Sequence, residues 1–548
     1  MNGKVLQILE FNKIIEKLTT YASCEPGVGL CSKLKPDTDF QTIVKNQEET
    51  AAAVNRLRLF GNLTFPSLND IGESLKSLAI DSSLSLSELF KIKILLDQVE
   101  KACSYKEKAD NEIYNDSLSE YFEKLSPIKD LKKELDRCIV SEDTVADAAS
   151  STLSKLRRQL KNIESRLHTE LNNILQAHRE YMMDAIITQR NGSYCLPIKS
   201  EYKNRVQGII HDQSSTGSTV FIEPIVIVKM NNEIKEIEIA EALEIEKILF
   251  DLSKNAAAYI DELGRNNKLL AKLDFIYAKA RLANQMSASK PLFNEDSIIT
   301  LKEARHPLLD PKQVVPVNIS LGADYRLLII TGPNTGGKTV LMKTVGLLTL
   351  MGQSGLHIPA FDKSKLAVYK KVFADIGDEQ SIEQNLSTFS AHMKNIIHIL
   401  KSADDKSLCL FDELGAGTDP TEGAALAIAV LKRRKSSIMA STHYSELKVY
   451  ALNTDDVENA SCEFDVETLR PTYRILIGVP GKSNAFAISQ KLGLPMDIIE
   501  EARKHISSDA ISFEDLITRL ETDRIALEKS RLEIEKKERE ISLLKLSY

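Results

Sequence analysis

Hydrophobic positions follow a helical spacing in the first half of the chain and form short unbroken runs in the second half. The helical spacing begins with the first residues and predicts helices, broken by loops, to about residue 105. Residues 1–150 are therefore interpreted as an N-terminal helical core or lever. The first apolar positions of the pattern are Val5, Leu6, Leu9, Ile14, Ile15 and Leu18.

A long helical arm is predicted for residues 151–290. Apolar residues between positions 153 and 175 recur in three- and four-residue steps, and one continuous helix over 151–185 would be roughly 50 Å long. A return helix is predicted around positions 234–252. The intervening residues 194–224 are rich in β-branched and turn residues, which predicts short strands and hairpins at the end of the arm.

Three apolar runs in the second half, at 327–330, 407–411 and 438–441, lack alternation and predict buried parallel strands. The first run leads into GPNTGGKT, a complete GxxxxGK[ST] phosphate-binding loop. In such a loop backbone N–H groups cradle phosphate, the lysine reaches the β- and γ-phosphates, and the Thr339 hydroxyl ligates a metal ion. The predicted cofactors are ATP and Mg²⁺, and the predicted nucleotide-binding residues of the loop are Gly332, Pro333, Asn334, Thr335, Gly336, Gly337, Lys338 and Thr339.

The ends of the other two runs carry residues that suit hydrolysis. Asp412 would hold the hydrated Mg²⁺ together with Thr339, and Glu413 would polarise the attacking water. His443 follows the third run, where an imidazole could contact the γ-phosphate or the water. A lone histidine is equally compatible with a structural role, so its position alone leaves both interpretations open.

A serine-rich segment at 385–390 begins another predicted helix. Ser387 could simply cap that helix. A helix N-terminus is also an anion site, and in a chain with one phosphate loop it could close over the nucleotide of a second subunit. That alternative predicts a homodimer with composite nucleotide sites.

Together these segments resemble the ATPase domain of the MutS family, within the ABC-type ATPases. The resemblance lies in GPNTGGKT, Gln380-Ser381, NLSTFSAHM (385–393), LFDELGAGTDP (410–420) and STHYSEL (441–447). Three further segments are similar to the branch outside mismatch repair, here called MutS-two: LEFNKIIEKL (9–18), HDQSSTGSTVFIEP (211–224) and GVPGKSNAFAISQKLGLP (478–495). The resemblance covers residues 9 to about 506.

The resemblance implies a multidomain fold: a long α-helical core and lever with a small β-containing clamp tip, and an α/β ABC-type P-loop ATPase domain at 291–506. It adds Gln380 and Ser387 to the nucleotide-binding residues and makes Lys338, Glu413 and His443 the catalytic set. It also implies a homodimeric clamp that acts on stalled or collided ribosomes, on branched DNA, or on both. In the alternative, the chain is an ATP-gated nucleic-acid-binding module whose hydrolysis only resets the clamp.

Polymer contact is expected at the clamp tip, residues 189–229. The candidate contact residues are Arg190, Lys199, Lys203 and Arg205, which would bind phosphates with little sequence preference. Ordinary solvated loop residues would give the same charge pattern. Hydroxyl side chains between Ser214 and Thr219 would add hydrogen-bond donors.

The last residues, 507–548, predict the start of a coiled-coil helix because apolar residues recur every seven positions from 513 to 541. MutS-two proteins usually continue into a small Smr domain associated with nuclease activity. The sequence contains no such domain, so we expect a truncated or shortened form and do not transfer nuclease activity to it.

Composition narrows the setting. The net charge of −7 argues against indiscriminate nucleic-acid binding, so local basic patches must provide any phosphate contact. Seven cysteines form no CxxC pair, which favours a reducing, cytoplasmic location over a disulfide framework or zinc site. No signal peptide or apolar run of membrane-spanning length is found, so a membrane partner is not expected.

Overall fold

The computed structural model describes residues 2–110, 115–190, 192–333, 336–377, 388–433, 435–465, 470–481 and 485–505, with seven single positions beyond 505. The chain divides into two compact units. The first unit comprises residues 1–64, 109–120 and 271–548, and the second comprises residues 65–108 and 121–270. The sequence-based boundaries at 150 and 290 coincide with neither division.

Four helices open the first unit, and side chains cap the first and the fourth of them. The Asn2 side chain accepts a hydrogen bond from the Lys4 N–H, and the Asp39 side chain caps a later helix through the Thr42 N–H. That helix ends at Gly61, whose φ of 84° suits glycine. The helices are α1 (Gly3–Ile8), α2 (Phe11–Thr19), α3 (Glu25–Ser32) and α4 (Phe40–Phe60).

Helices and a short hairpin continue the chain toward the arm. They are α5 (Gly72–Ala79), α6 (Leu86–Asp110), α7 (Ser119–Glu123), α8 (Lys129–Cys138), β1 (Ile139–Ser141), β2 (Thr144–Val145) and α9 (Ser151–Ala177). The arm helix α9 starts at the predicted residue but ends eight residues before the predicted 185. It ends there because Met182 and Met183 pair with a strand of the following sheet, which a continued helix would prevent.

The predicted strands of the arm form a four-stranded antiparallel sheet followed by the return helix. The elements are β3 (Thr188–Arg190), β4 (Ser193–Lys199), β5 (Gly208–Gln213), β6 (Thr219–Pro224) and α10 (Ile225–Ala257), and the strand order is β3-β4-β6-β5. Leu196, Ile198, Val220 and Ile222 are buried in the small core of this sheet. Helices α9 and α10 pack against each other through Leu167, Leu171, Ile227 and Met230.

The rest of the first unit is built around two sheets. Its elements are α11 (Ile260–Gln285), which begins in the second unit, β7 (Leu292–Asn294), β8 (Ile299–Ala304), β9 (Val317–Leu321), β10 (Leu327–Thr331), α12 (Lys338–Gln353), β11 (Lys365–Ala367), β12 (Lys371–Asp375), α13 (Thr388–Ser402), β13 (Ser407–Phe411), α14 (Pro420–Lys432), β14 (Ser437–Ser441), α15 (Ser445–Leu452), β15 (Val457–Asp465), β16 (Arg470–Ile477), α16 (Ala485–Lys491) and α17 (Met496–Lys504).

The larger sheet has six strands in the order β12-β13-β14-β10-β15-β16. Its first five strands are parallel, and only β16 runs antiparallel to its neighbour. Strands β10, β13 and β14 are buried along their whole length, as the unbroken apolar runs predicted. The carboxyl ends of β10, β13 and β14 therefore lie side by side at one edge, which is where α/β sheets place their ligands.

The N-terminal residues pack directly on the helix that follows the phosphate loop. A side chain at Gly346 of α12 would lie within 3 Å of methyl groups of both Leu9 and Leu410, so the close approach requires glycine. Lys343 of α12 lies 3.5 Å from the Glu10 carboxylate. Residues 2–64 thus belong structurally with the six-stranded sheet.

The predicted C-terminal coiled coil falls almost wholly outside the described residues. The seven described positions beyond 505 are all helical, and two of them, Leu527 and Ile534, are exposed apolar residues of the predicted repeat. A coiled coil in this segment stays a prediction.

Candidate functional site

The phosphate loop leaves the carboxyl end of β10 and leads into α12. Gly332 and Gly337 have φ angles of 133° and 92°, and a Cβ on Gly336 would lie 3.0 Å from that of Cys462 on β15. The loop backbone is therefore held against the neighbouring strand in a form that only glycine permits. Pro333 lies in the described part of the loop, whereas the predicted binding residues Asn334 and Thr335 lie outside the described residues.

Lys338 is buried at the first position of α12. Its ammonium donates to the Gly332 carbonyl oxygen at 2.9 Å and contacts His443 Nε2, also at 2.9 Å. Burial lowers the pKa of Lys338, and the carboxylates of Glu413 and Asp412 act in the opposite direction. The predicted lysine and histidine are thus brought together from positions 105 residues apart.

Thr339 and Asp412 are also joined in the structure. The Thr339 hydroxyl donates to Asp412 Oδ2 at 2.6 Å, and the Ser441 hydroxyl donates to Asp412 Oδ1. Ser441 Oγ in turn accepts from the backbone N–H of Glu413 at 2.8 Å. A hydroxyl and a buried carboxylate on one side of the site are oxygen donors of the kind Mg²⁺ takes, with its other positions left to water and phosphate. The residues present therefore fit the predicted metal.

Glu413 occupies an unusual backbone conformation, with φ at 50° for a non-glycine residue. Such strain persists only where surrounding contacts enforce it. The Ser441 hydrogen bond to its N–H is one contact, and the Leu414 N–H donates to the Ser441 carbonyl oxygen at 3.0 Å. The Glu413 side chain is 45% exposed, and its Oε1 lies 4.0 Å from His443 Nε2. The carboxylate is consequently available to a water at the sheet edge.

His443 is poised to be neutral near pH 7. Burial lowers the pKa of the imidazole, and the nearby Lys338 ammonium lowers it further. A neutral ring can accept at Nε2 from Lys338 only with its proton on Nδ1. Thr442 links this strand end to β10, the strand before the phosphate loop, since its N–H donates to the Ile330 carbonyl oxygen at 3.1 Å.

Two features of the site have no signal in the amino-acid sequence. Ser441 lies in a predicted strand, but nothing in its spacing indicated a contact with Asp412. A cavity of about 260 Å³ lies beside Gly337, and chain segments around positions 304–317, 337–344 and 473–475 contribute its lining. Its lining side chains include His306, Val317, Val340, Leu341, Tyr473 and Ile475. No local sequence signal shows that these three segments meet.

Two further residues were predicted to bind nucleotide, and one of them, Ser387, was predicted to do so across a dimer. Gln380 and Ser387 both lie outside the described residues. The helix after Ser387 is present as α13, beginning at Thr388. Its predicted role in closing a partner's nucleotide site stays a hypothesis.

The four basic residues of the arm sheet differ in surroundings. Lys203 and Arg205 are exposed in a short 3₁₀ helix, Ser200–Arg205, and Lys199 is half-buried at the end of β4. The Arg190 guanidinium lies 4.6 Å from the centre of the Phe221 ring and its Nε lies 3.9 Å from an Asp212 oxygen. Arg190 is therefore partly occupied by neighbours within the sheet.

The hydroxyl groups of the adjacent turn bond to one another. Thr216 Oγ1 and Ser218 Oγ are 2.7 Å apart, and Ser214 Oγ accepts from the Thr219 N–H at 3.1 Å. These bonds build the turn between β5 and β6. They leave fewer free donors for phosphate than the sequence suggested.

Within the ranges given above, no three His, Cys, Asp or Glu side chains are grouped so as to hold a metal ion. In the same part of the chain, every helix is too short or too polar to cross a lipid bilayer.

Comparison with known proteins identifies related chains. Residues 328–509 match the family described as MutS domain V. The chain is 54% identical over 543 residues to the Endonuclease MutS2 of Lachnoclostridium phytofermentans, covering 97% of this chain and 68% of that protein. It is 53% identical over 533 residues to the Endonuclease MutS2 of Agathobacter rectalis, covering 96% and 67%, respectively. The chain thus spans about two thirds of the length of these relatives.

Proposed function

The chain belongs to the endonuclease MutS2 family, the branch called MutS-two above, and we propose that it is an ATPase. The observation that carries the proposal is the set of contacts at the sheet edge. Lys338 and Thr339 from the phosphate loop meet Asp412 and Ser441 from two neighbouring strand ends, with Glu413 and His443 beside them. This is the set of groups that phosphoryl transfer to water requires.

Each residue has a distinct task in this proposal. The loop N–H groups and Lys338 bind the phosphates, for which Lys338 exchanges its contacts with Gly332 and His443 for phosphate oxygens. Thr339 and Asp412 would hold Mg²⁺, which neutralises phosphate charge when bound. Glu413 orients the attacking water and accepts its proton. His443, a neutral ring whose Nε2 carries no proton, is placed to interact with the γ-phosphate or the water.

The cavity beside Gly337 supports a nucleotide as the substrate. Most of its lining side chains are apolar, as expected for a pocket that takes a flat base. His306 lines the cavity and is itself buried; burial lowers the pKa of this imidazole to about 4, so it contributes no charge near pH 7. We infer that the base of ATP lies here and its phosphates in the loop.

Separate changes test binding and hydrolysis. Glu413→Gln should retain ATP binding but lower turnover by about 10²–10³-fold, because the water loses its base. Lys338→Ala should weaken nucleotide binding itself. Glu295→Gln, an exposed carboxylate between β7 and β8, serves as the matched control and should leave both properties unchanged. Near-normal steady-state turnover in Glu413→Gln would remove Glu413 from its role.

We propose further that the chain acts as a homodimer. Four apolar side chains lie exposed within seven residues, in the connection after α16 and at the start of α17: Leu492, Leu494, Met496 and Ile498. An exposed apolar patch of this kind commonly marks a protein interface. Leu492→Glu combined with Met496→Glu should shift sedimentation toward the monomer. Mixing Lys338→Ala with Ser387→Ala chains should give activity that neither shows alone, whereas turnover by a strict monomer would exclude composite sites.

For the target, we propose a nucleic-acid assembly held at the arm sheet, either ribosomes that are split into subunits or branched DNA whose capture suppresses recombination. The exposed Lys203 and Arg205 support phosphate contact there. Turnover measured with ribosomes, with junction DNA and with neither distinguishes a driven machine from a clamp that hydrolysis merely resets. Stimulation by one polymer identifies the target, and no stimulation by either favours the reset alternative. A lack of nuclease activity in this chain stays a prediction.

A further inference from the structure

Asp375 adjoins the site but is not one of the residues proposed to bind nucleotide, metal or water. It is the last residue of β12 and its side chain is 5% exposed. Its carbonyl oxygen accepts from the Asp412 backbone N–H at 2.8 Å. The main chain of Asp375 therefore helps to fix the residue that would bind Mg²⁺.

The Asp375 carboxylate is engaged on its other side by helix α13. His392 Nδ1 lies 2.9 Å from Asp375 Oδ2, and Asn395 Nδ2 donates to Asp375 Oδ1 at 3.2 Å. Both carboxylate oxygens are thus bonded to one face of a single helix. Because hydrogen bonds to a charged, buried group are stronger than neutral ones, this pairing fixes the helix against the strand end.

A small cavity lies between α13 and the loop after β13. Its volume is about 10 Å³, close to the space of one water molecule. His392 and Asp375 line it together with Glu413, Leu414 and Gly415. A shift of α13 would therefore change the surroundings of Glu413, the carboxylate proposed to orient water.

We propose that Asp375, through its bonds to His392 and Asn395, is a positioning residue that sets the geometry of Asp412 and Glu413 relative to α13. The inference rests on the proposed ATPase function. Its physical basis is the sensitivity of catalysis to small displacements, since a misplacement of about 1 Å can cost about 10²-fold in rate. Phosphate binding should be unaffected because Lys338 is held by the Gly332 carbonyl oxygen and His443 instead.

The histidine allows a sharp test because it uses Nδ1. An asparagine at 392 can donate from nearly the same position, whereas a glutamine places its amide farther out and leucine has none. We expect His392→Gln and His392→Leu to lower kcat by about 10- to 100-fold with KM for ATP within about twofold, and His392→Asn to recover most of the loss. His398→Gln, on an exposed face of the same helix, is the control and should match the parent.

Three measurements decide the outcome: steady-state kcat and KM, equilibrium binding of a fluorescent ATP analogue, and thermal unfolding of each variant. A fall in kcat with preserved binding and unfolding temperature, reversed by asparagine, supports the positioning role. Equal kcat in His392→Leu and the parent overturns it, as does a parallel loss of binding or folding that asparagine does not relieve. Absence of Mg²⁺-dependent turnover in the unmodified chain would instead overturn the proposed ATPase function.

Discussion

Charged side chains are used differently at the nucleotide-binding sheet edge and on the arm sheet. At the sheet edge Lys338 and Asp412 are almost fully buried, and each has defined partners at hydrogen-bonding distance. On the arm sheet Lys203 and Arg205 are exposed to solvent. Burial makes each charge of the first set depend on its partners, while solvent screens those of the second.

This difference predicts how each region responds to mutation. A buried, hydrogen-bonded charge cannot be removed without leaving its partners unsatisfied, so one substitution should abolish function. Exposed charges that contact a polymer act through the sum of many weak, salt-dependent contacts. No single residue of the arm sheet should be indispensable.

The largest expected effect is that of Asp412→Asn. The change keeps the shape of the side chain but removes the charge that would hold Mg²⁺, so Mg²⁺-dependent turnover should fall by about 10³-fold. The matched control is Asp404→Asn, a carboxylate that precedes the same strand at its amino end and bonds to Lys371. Steady-state ATPase assays over a range of Mg²⁺ concentrations measure both. Equal losses of turnover in the two variants would contradict a metal site at the carboxyl end of β13.

A second buried charge, remote from the catalytic groups, should affect stability. Lys279 is 1% exposed and lies 4.5 Å from the Phe275 ring centre; burial lowers its pKa to about 7, and the nearby Lys272 contributes in the same direction. Because the unfolded lysine keeps its proton to about pH 10.5, stability should rise with pH between about 7 and 10.5 and stay low below that window. Lys279→Met should remove this slope and raise the unfolding free energy at pH 7 by roughly 2–4 kcal/mol.

Urea unfolding of the parent and of Lys279→Met at pH 7 and pH 9.5 tests whether Lys279 makes stability rise with pH. The excess unfolding free energy of Lys279→Met over the parent should be smaller at the higher pH. Lys272→Met is the contrasting control, because it leaves the buried Glu49 carboxylate without the ammonium 3.0 Å away and should destabilise. A variant advantage that is equal at both pH values would contradict a titrating Lys279.

A smaller and distributed effect is expected on the arm sheet. Replacing Arg190, Lys199, Lys203 and Arg205 together by alanine should weaken binding to ribosomes or junction DNA and reduce the slope of log affinity against log salt by up to about 0.9 per lost phosphate contact. Basal ATP turnover should persist. Binding titrations at several salt concentrations measure the slope. Parent-like binding to both polymers would move the contact surface elsewhere.

The smallest expected effect separates the members of that set. Arg190→Ala should reduce polymer affinity less than Lys203→Ala, because the Arg190 guanidinium lies over Phe221 and beside Asp212. It should instead destabilise the arm sheet by about 0.5–1 kcal/mol through the lost contact with the ring. Comparing affinity and thermal unfolding for the two single variants checks both parts. A larger affinity loss in Arg190→Ala would show that its guanidinium is free to bind phosphate.

The elements that the sequence predicted correctly are those encoded by a pattern within one short segment. The unbroken apolar runs before Gly332, Asp412 and Thr442 predicted buried parallel strands, and all three strands are present. The arm sheet was also predicted, from a change in hydrophobic period between two helices. The length of α9 was not, because its end depends on the pairing of Met182 and Met183 with a distant strand.

The sequence by itself determined which chemical groups the nucleotide site contains, because a phosphate loop and the strand ends beside it are encoded in short contiguous segments. Only the tertiary structure brought Lys338 to His443, Ser441 to Asp412, and Asp375 to His392. Two further features also depend on the tertiary structure. Residues 2–64 share a compact unit with the six-stranded sheet, and the Arg190 guanidinium lies over the Phe221 ring. The physical reason is that these contacts depend on strand order and helix packing, which arise from burial summed over the whole unit and leave no spacing pattern in the chain.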